Sequence, residues 1–150
     1  MPRTCMNLSA NPKYQFLVVD GDIHLNMTFA LMLEFPGQGV RTAHTGETAL
    51  AMLEKEKFDL IITEYWLSRM QGDDLAAMIK QQWPDQPIIM ATANIEEVQK
   101  YVHPLAEVDC FLNKPFSMSQ LRESNGVRGF FQNPLLRNYH PTTRGEQPHN

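Results

Sequence analysis

Residues 58–72 run Phe58-Asp59-Leu60-Ile61-Ile62-Thr63-Glu64-Tyr65-Trp66-Leu67-Ser68-Arg69-Met70-Gln71-Gly72, and this stretch decides the fold. A short continuous apolar run with polar flanks is the pattern of a strand buried on both faces, as in a parallel sheet. Glu64 closes that run, a polar loop follows from Tyr65 to Gln71, and Gly72 opens a helical pattern. A carboxylate at such a junction lies on the carboxyl edge of a sheet, where open α/β folds bind ligands. Three more polar residues end apolar runs in the same way: Asp20 after Phe16–Val19, Thr92 after Ile88–Ala91, and Lys114 after Cys110–Asn113. Two carboxylates, a hydroxyl and an ammonium at four strand ends are the groups that phosphoryl-transfer chemistry uses.

The rest of the pattern alternates strand and helix. After the first strand, Leu25, Phe29, Met32 and Leu33 recur at helical spacing until Pro36-Gly37 stops them. Val40–Ala43 is a second, weaker strand, and Thr45 is placed to cap a helix whose apolar face carries Ala49, Leu50 and Leu53. Leu75 and Ile79 mark the core face of a third helix that Trp83-Pro84 ends. Ile95, Val98 and Val102 mark a fourth helix, closed by Pro104, and Ser117 begins a last one that Asn125-Gly126 cuts short. Five β/α units predict a five-stranded parallel sheet with helices on both faces, because parallel neighbours need crossover connections. The methionines at helical spacing, Met27, Met32, Met52 and Met78, read as core or near-core gap-fillers.

Composition agrees with one soluble domain. At 150 residues, 43% hydrophobic and 20% charged, the chain is long enough for a single real core. A formal charge of −4 with no basic stripe argues against nucleic-acid binding. Cys5 and Cys110 lie too far apart for a zinc or redox motif and read as reduced thiols in a cytoplasmic protein. No apolar run approaches the roughly 18 residues of a membrane span, so no membrane association is expected. From Asn125 to Asn150, Gly126, Gly129, Pro134, Pro141, Gly145 and Pro148 break every period, and an irregular, mobile tail is expected. The chain therefore divides into an N-terminal extension (1–12), a body (13–124) and a tail (125–150).

Between about Lys13 and Ser124 the sequence resembles the receiver domain of bacterial two-component response regulators, the CheY-like family. The segments that carry the resemblance are FLVVDGD, FDLIITEYWLSRMQG, IIMATA and CFLNKPF, in the family's order. The resemblance implies a flavodoxin-like (βα)5 fold of strand order 2-1-3-4-5. It also implies a site in which an acidic pair after the first strand helps bind Mg²⁺ and an aspartate after the third accepts phosphoryl from a histidine kinase. A hydroxyl after the fourth strand and a lysine after the fifth contact the phosphoryl oxygens. Carried over residue by residue, Asp20 is the first acid, Thr92 the hydroxyl, Lys114 the lysine and Phe111 the switch aromatic. Pro115 matches a proline often preceded by a cis peptide. The metal would take Asp20, Glu64 and the backbone carbonyl of Trp66.

Three departures fall on that site: Gly21 stands for the second acid, Glu64 for the phosphoacceptor aspartate, and Ser68 for the usual loop proline. Mg²⁺ wants oxygen ligands in near-octahedral geometry, so the loss of a carboxylate at Gly21 predicts weak binding. Asp22 either reaches back to the metal or caps the first helix. The extra methylene of Glu64 moves its carboxylate by about 1 Å or more, enough to cost roughly 10²-fold in an in-line transfer. The same extension carries negative charge toward where a phosphoryl group would sit. The expectation is a pseudo-receiver, not an enzyme, in which Glu64 partly imitates phosphoaspartate.

Other readings use the same residues. Glu64 as a solvated loop carboxylate, Lys114 as a structural ion pair with Asp20 or Glu64, Thr92 as a helix cap and Phe111 as a plain core aromatic are the bland ones. A different class is a haloacid-dehalogenase-like Mg²⁺ phosphatase using Asp20 and Asp22, and a conventional phosphoacceptor receiver is a further alternative. The resemblance implies a sensor histidine kinase or a downstream regulatory protein as partner. Self-association through the fourth helix, fifth strand and fifth helix, near Gln99, Lys100 and His103, is the other implied contact.

Overall fold

The computed structural model describes residues 14–33, 38–102 and 108–123. Strands β1 (Tyr14–Val19), β2 (Gln38–Ala43), β3 (Leu60–Thr63), β4 (Ile88–Thr92) and β5 (Cys110–Asn113) alternate with helices α1 (Ile23–Leu33), α2 (Gly46–Lys55), α3 (Gly72–Gln82), α4 (Ile95–Gln99) and α5 (Met118–Glu123). All neighbours pair parallel, in the order β2-β1-β3-β4-β5. The five-stranded parallel sheet is the one the alternation predicts, and its order is the flavodoxin-like one that the resemblance implies.

Successive residues of a strand point to opposite faces, and each face has its own core. Leu17, Val19, Ile61 and Ile88 pack with Ala49 and Leu53 of α2 and with Leu75, Ala76 and Ile79 of α3. Phe16, Val18, Leu60, Ile62 and Ile89 pack with Leu121 of α5. The step from β1 to β2 runs opposite to every later step, so right-handed crossovers put α1 on the face away from α2 and α3. That is the face of α5. The central strands β3 and β4 are buried throughout, which explains their continuous apolar runs.

Local chemistry sets the helix starts. Thr45 Oγ1 accepts the Thr48 amide at 3.1 Å, the cap expected for α2. Ser117 and Gln120 exchange side-chain and backbone hydrogen bonds of 3.1 and 2.8 Å at the start of α5, a reciprocal capping box.

Several expectations are corrected. Helix α4 ends at Gln99, and Val102 lies beyond it, because the chain tightens to i→i−3 bonds at Lys100 and Tyr101. Met27 and Met78 are exposed, at 60% and 42%, rather than core, and Leu25 also faces solvent. Met52 does pack against the α2–α3 core. Cys5, Pro36-Gly37, His103, Pro104, the extension 1–12 and the tail 125–150 fall outside the described residues, as do the side chains of Phe29, Met32 and Leu33. No described helix is long and apolar enough to cross a membrane.

Candidate functional site at the carboxyl edge of the sheet

Register brings the four strand-end residues together. Val19 pairs with Thr63 and with Ala43, so the residues that follow, Asp20 and Glu64, emerge side by side from adjacent strands. Asp20 N donates to Ala43 O at 3.0 Å and Glu64 N to Val19 O at 2.9 Å, which extends the ladders to the site. On the other side, Lys114 N donates to Thr92 O at 2.8 Å, one step beyond the Thr92–Asn113 pair.

The Lys114 ammonium joins both carboxylates. It donates to Glu64 Oε2 at 2.8 Å and to Asp20 Oδ2 in a second, very short ion pair. All three side chains are about nine-tenths buried, with exposures of 10%, 11% and 7%. The remaining oxygens are held by the backbone. Asp20 Oδ1 accepts the Asp22 amide at 2.9 Å, and Glu64 Oε1 accepts the Tyr65 amide at 2.8 Å with a longer contact of 3.4 Å from Trp66. Glu64 is thus neither solvated nor loose, and the reading of it as a free loop carboxylate is set aside. Burial alone would lower the Lys114 pKa, but its hydrogen bonds to Asp20 and Glu64 and their charge outweigh this and hold it above the ordinary lysine value.

The loop after Glu64 has a tight geometry of its own. Gly72 N donates to Tyr65 O at 2.7 Å, and a Cβ on Gly72 would lie 2.1 Å from Glu64 O, so only glycine permits this approach. Arg69 adopts a φ of 69°, an uncommon state for a residue with a side chain, one position after the exposed Ser68. Tyr65 is buried against Met90 and Val98, with Phe111 packed on the same cluster. Its phenol pKa is raised by burial first, then by Asp73, Asp74 and Tyr101. Trp66 is exposed.

The other candidates resolve as follows. Asp22 caps α1: its Oδ1 accepts the His24 and Leu25 amides at 2.9 and 3.3 Å, so that oxygen is engaged by the start of the helix. Thr92 is buried at the end of β4, and the cap of α4 is Asn94, whose Oδ1 accepts the Glu97 amide at 3.1 Å; the capping reading of Thr92 is corrected. Lys114–Pro115 is a cis peptide. Asn26, which sequence reading passed over, is 1% exposed and donates to the carbonyls of Asp20 and Ala43 at 2.6 and 3.2 Å. It fixes the β1 corner, and nothing in the sequence of α1, which also carries the polar His24 and Thr28, marks this amide as the buried one.

A divalent cation fits this donor set poorly. The two carboxylates that face each other already share an ammonium, Gly21 supplies no side-chain oxygen, and Asp22 is engaged by α1. Among the described residues, no group of three or more His, Cys, Asp or Glu side chains is arranged to hold a metal.

Residues 16–125 match the family model of the response regulator receiver domain. The chain belongs to that family. It is 36% identical over 103 residues to the alkaline phosphatase synthesis transcriptional regulatory protein PhoP of Bacillus subtilis, covering 69% of this chain and 43% of PhoP. It is 28% identical to the response regulator MprA of Mycobacterium avium, covering 71% of this chain and 47% of MprA. The chain thus matches less than half the length of these relatives. Among solved structures, the chemotaxis response regulator CheY4 of Vibrio cholerae superposes with a TM-score of 0.65 at 28% identity, over 72% of this chain and 92% of CheY4. The response regulator TrrA of Thermotoga maritima, solved with Mg²⁺ and BeF, gives 0.66 at 25% identity, over 73% of this receiver and 94% of TrrA.

Proposed function

We propose that this receiver is a pseudo-receiver: it signals through protein–protein contacts, and its site is held by an internal ion-pair network instead of being switched by phosphoryl transfer. The observation that carries this reading is the Lys114 ammonium bound by Glu64 and Asp20 together. In the roles implied by the family, Glu64 takes the phosphoacceptor position, Lys114 and Thr92 are the phosphoryl contacts, and Phe111 is the switch aromatic. Glu64 then gives Lys114 a permanent anionic partner. A carboxylate carries about −1 where a phosphoryl group carries about −1.5 to −2, so the imitation is partial.

The metal part of the proposal is weak Mg²⁺ binding through Asp20, Glu64 and the Trp66 carbonyl, since a metal there must displace Lys114 from the carboxylates. A dehalogenase-type phosphatase is disfavoured, because Asp22 is engaged by the amides of α1 and Asp20 by Lys114. The proposed setting is the cytoplasm. A histidine kinase or a downstream regulator is the proposed partner, met with body 13–124 through the surface of α4, β5 and α5, where a homodimer is also accommodated.

Hydrogen exchange tests the reading. Acetyl phosphate with Mg²⁺ is expected to leave amide protection at α4, β5 and α5 unchanged in the wild type, whereas Glu64→Gln alone weakens protection around Lys114. A wild-type response to acetyl phosphate with Mg²⁺ would show a conventional switch.

A further inference from the structure

Helix α1 presents an apolar stripe to solvent. Ile23, Met27 and Leu31 follow one another at intervals of four residues with exposures of 57%, 60% and 68%, and Leu25 adds to the edge at 37%. Four-residue spacing puts the first three on one side of the helix over about 12 Å. Among the residues of α1 whose side chains are described, only Asn26 is buried. Scattered exposed hydrophobes are ordinary, but a continuous row of large ones on a single helix marks a surface that something covers.

The chain itself supplies a matching segment. Helix α5 lies on the same face of the sheet as α1 and ends at Glu123. Phe130 stands seven residues further on, a reach of up to about 25 Å, more than the 8–10 Å that separates packed helices. Phe130-Phe131 and Leu135-Leu136 are five residues apart, up to about 17 Å, comparable with the stripe. The residues from 125 to 150 carry three arginines against one glutamate, a formal +2 in a chain of net −4, so the charges of segment and body are complementary. A tether this short sets a local concentration on the order of millimolar, well above that of a second copy in dilute solution.

We propose that residues 127–137 dock on the α1 stripe, with Phe130, Phe131, Leu135 and Leu136 covering Ile23, Met27 and Leu31. The sequence read alone favours a mobile tail, because it does not show that α1 leaves an apolar face open. Docking also bears on partners: any protein that uses α1 must first displace the segment.

Trypsin reads the contact on the intact chain, since Arg137 ends the docked stretch and Arg144 lies beyond it. Wild-type protein is expected to be cut at Arg144 at least about tenfold faster than at Arg137, as cleavage follows the population of the undocked form. Met27→Gln with Leu31→Gln, both at exposed positions, should bring the Arg137 rate to within about twofold of the Arg144 rate. Phe130→Ser with Phe131→Ser should do the same. Equal Arg137 rates in wild type and both variants overturn the proposal. So does protection that grows with protein concentration, which would make the cover a second copy.

Discussion

The two sides of the carboxyl edge hold their polar groups differently. On the β4–β5 side, Thr92 is buried within its strand and Lys114 is one step beyond the ladder, both fixed by backbone register. On the β1–β3 side, Asp20 and Glu64 each give one oxygen to their own loop's amides and the other to Lys114. The three positions at which the proposed assignment departs from the pattern implied by the resemblance, Gly21, Glu64 and Ser68, all fall on this second side. Sheet register thus preserves where a side chain emerges, while the loop behind it and the length of the side chain decide what it can do.

The largest effect is expected at the loop. Gly72→Ala puts a methyl group into Glu64 O and should cost about 4 kcal/mol or more in a denaturant titration; a cost near that of an ordinary surface change would mean that the loop is adaptable and Glu64 is not clamped. Removing the group shared by both sides comes next. Lys114→Met leaves two buried carboxylates facing each other and should cost about 3–5 kcal/mol, against about 1–3 kcal/mol for Glu64→Gln, which keeps the Lys114–Asp20 pair. If the two variants lose the same amount, the network does not bridge the two sides.

The comparison sharpens when the missing acid is returned. A Cβ on Gly21 has no neighbour nearer than 3.9 Å, so the backbone there admits a side chain such as that of Gly21→Asp. Calorimetric titration should show it to bind Mg²⁺ at least about tenfold more tightly than wild type. Equal affinities would mean that another oxygen already serves. The smallest effect concerns pH. Lys114 holds its proton more tightly in the folded state, so the network's contribution is complete below the unfolded lysine value of about 10.4 and is lost as pH rises through the folded pKa. The raised phenol of Tyr65 acts in the same direction from about pH 10. Melting temperature should therefore stay level from neutral pH to about 9.5 and fall above it, less steeply in Lys114→Met.

Most of the strand-end geometry was legible because buried parallel strands are written as apolar runs, and the residue after each run lies at the edge. The loops were less so. Asp22 as metal ligand or cap was undecidable from spacing, since one residue of displacement suits both. Gly72 reads as a helix start, and its close approach to Glu64 appears only once the loop is folded. The positive φ of Arg69 has no composition signal at all. Helix α1, IHLNMTFALML, is apolar on nearly every side, so periodicity does not choose its buried face, and the exposure of Met27 and Leu25 had to come from the structure.

The central claim is that the β1–β3 side has exchanged phosphoryl chemistry for a fixed ion pair, and intact mass after incubation with acetyl phosphate and Mg²⁺ tests it most directly. Wild type is expected to gain nothing, while Gly21→Asp with Glu64→Asp, incubated in parallel, is expected to gain one phosphoryl group on the retained Thr92 and Lys114 scaffold. A phosphoryl group on wild-type Glu64 would contradict the account.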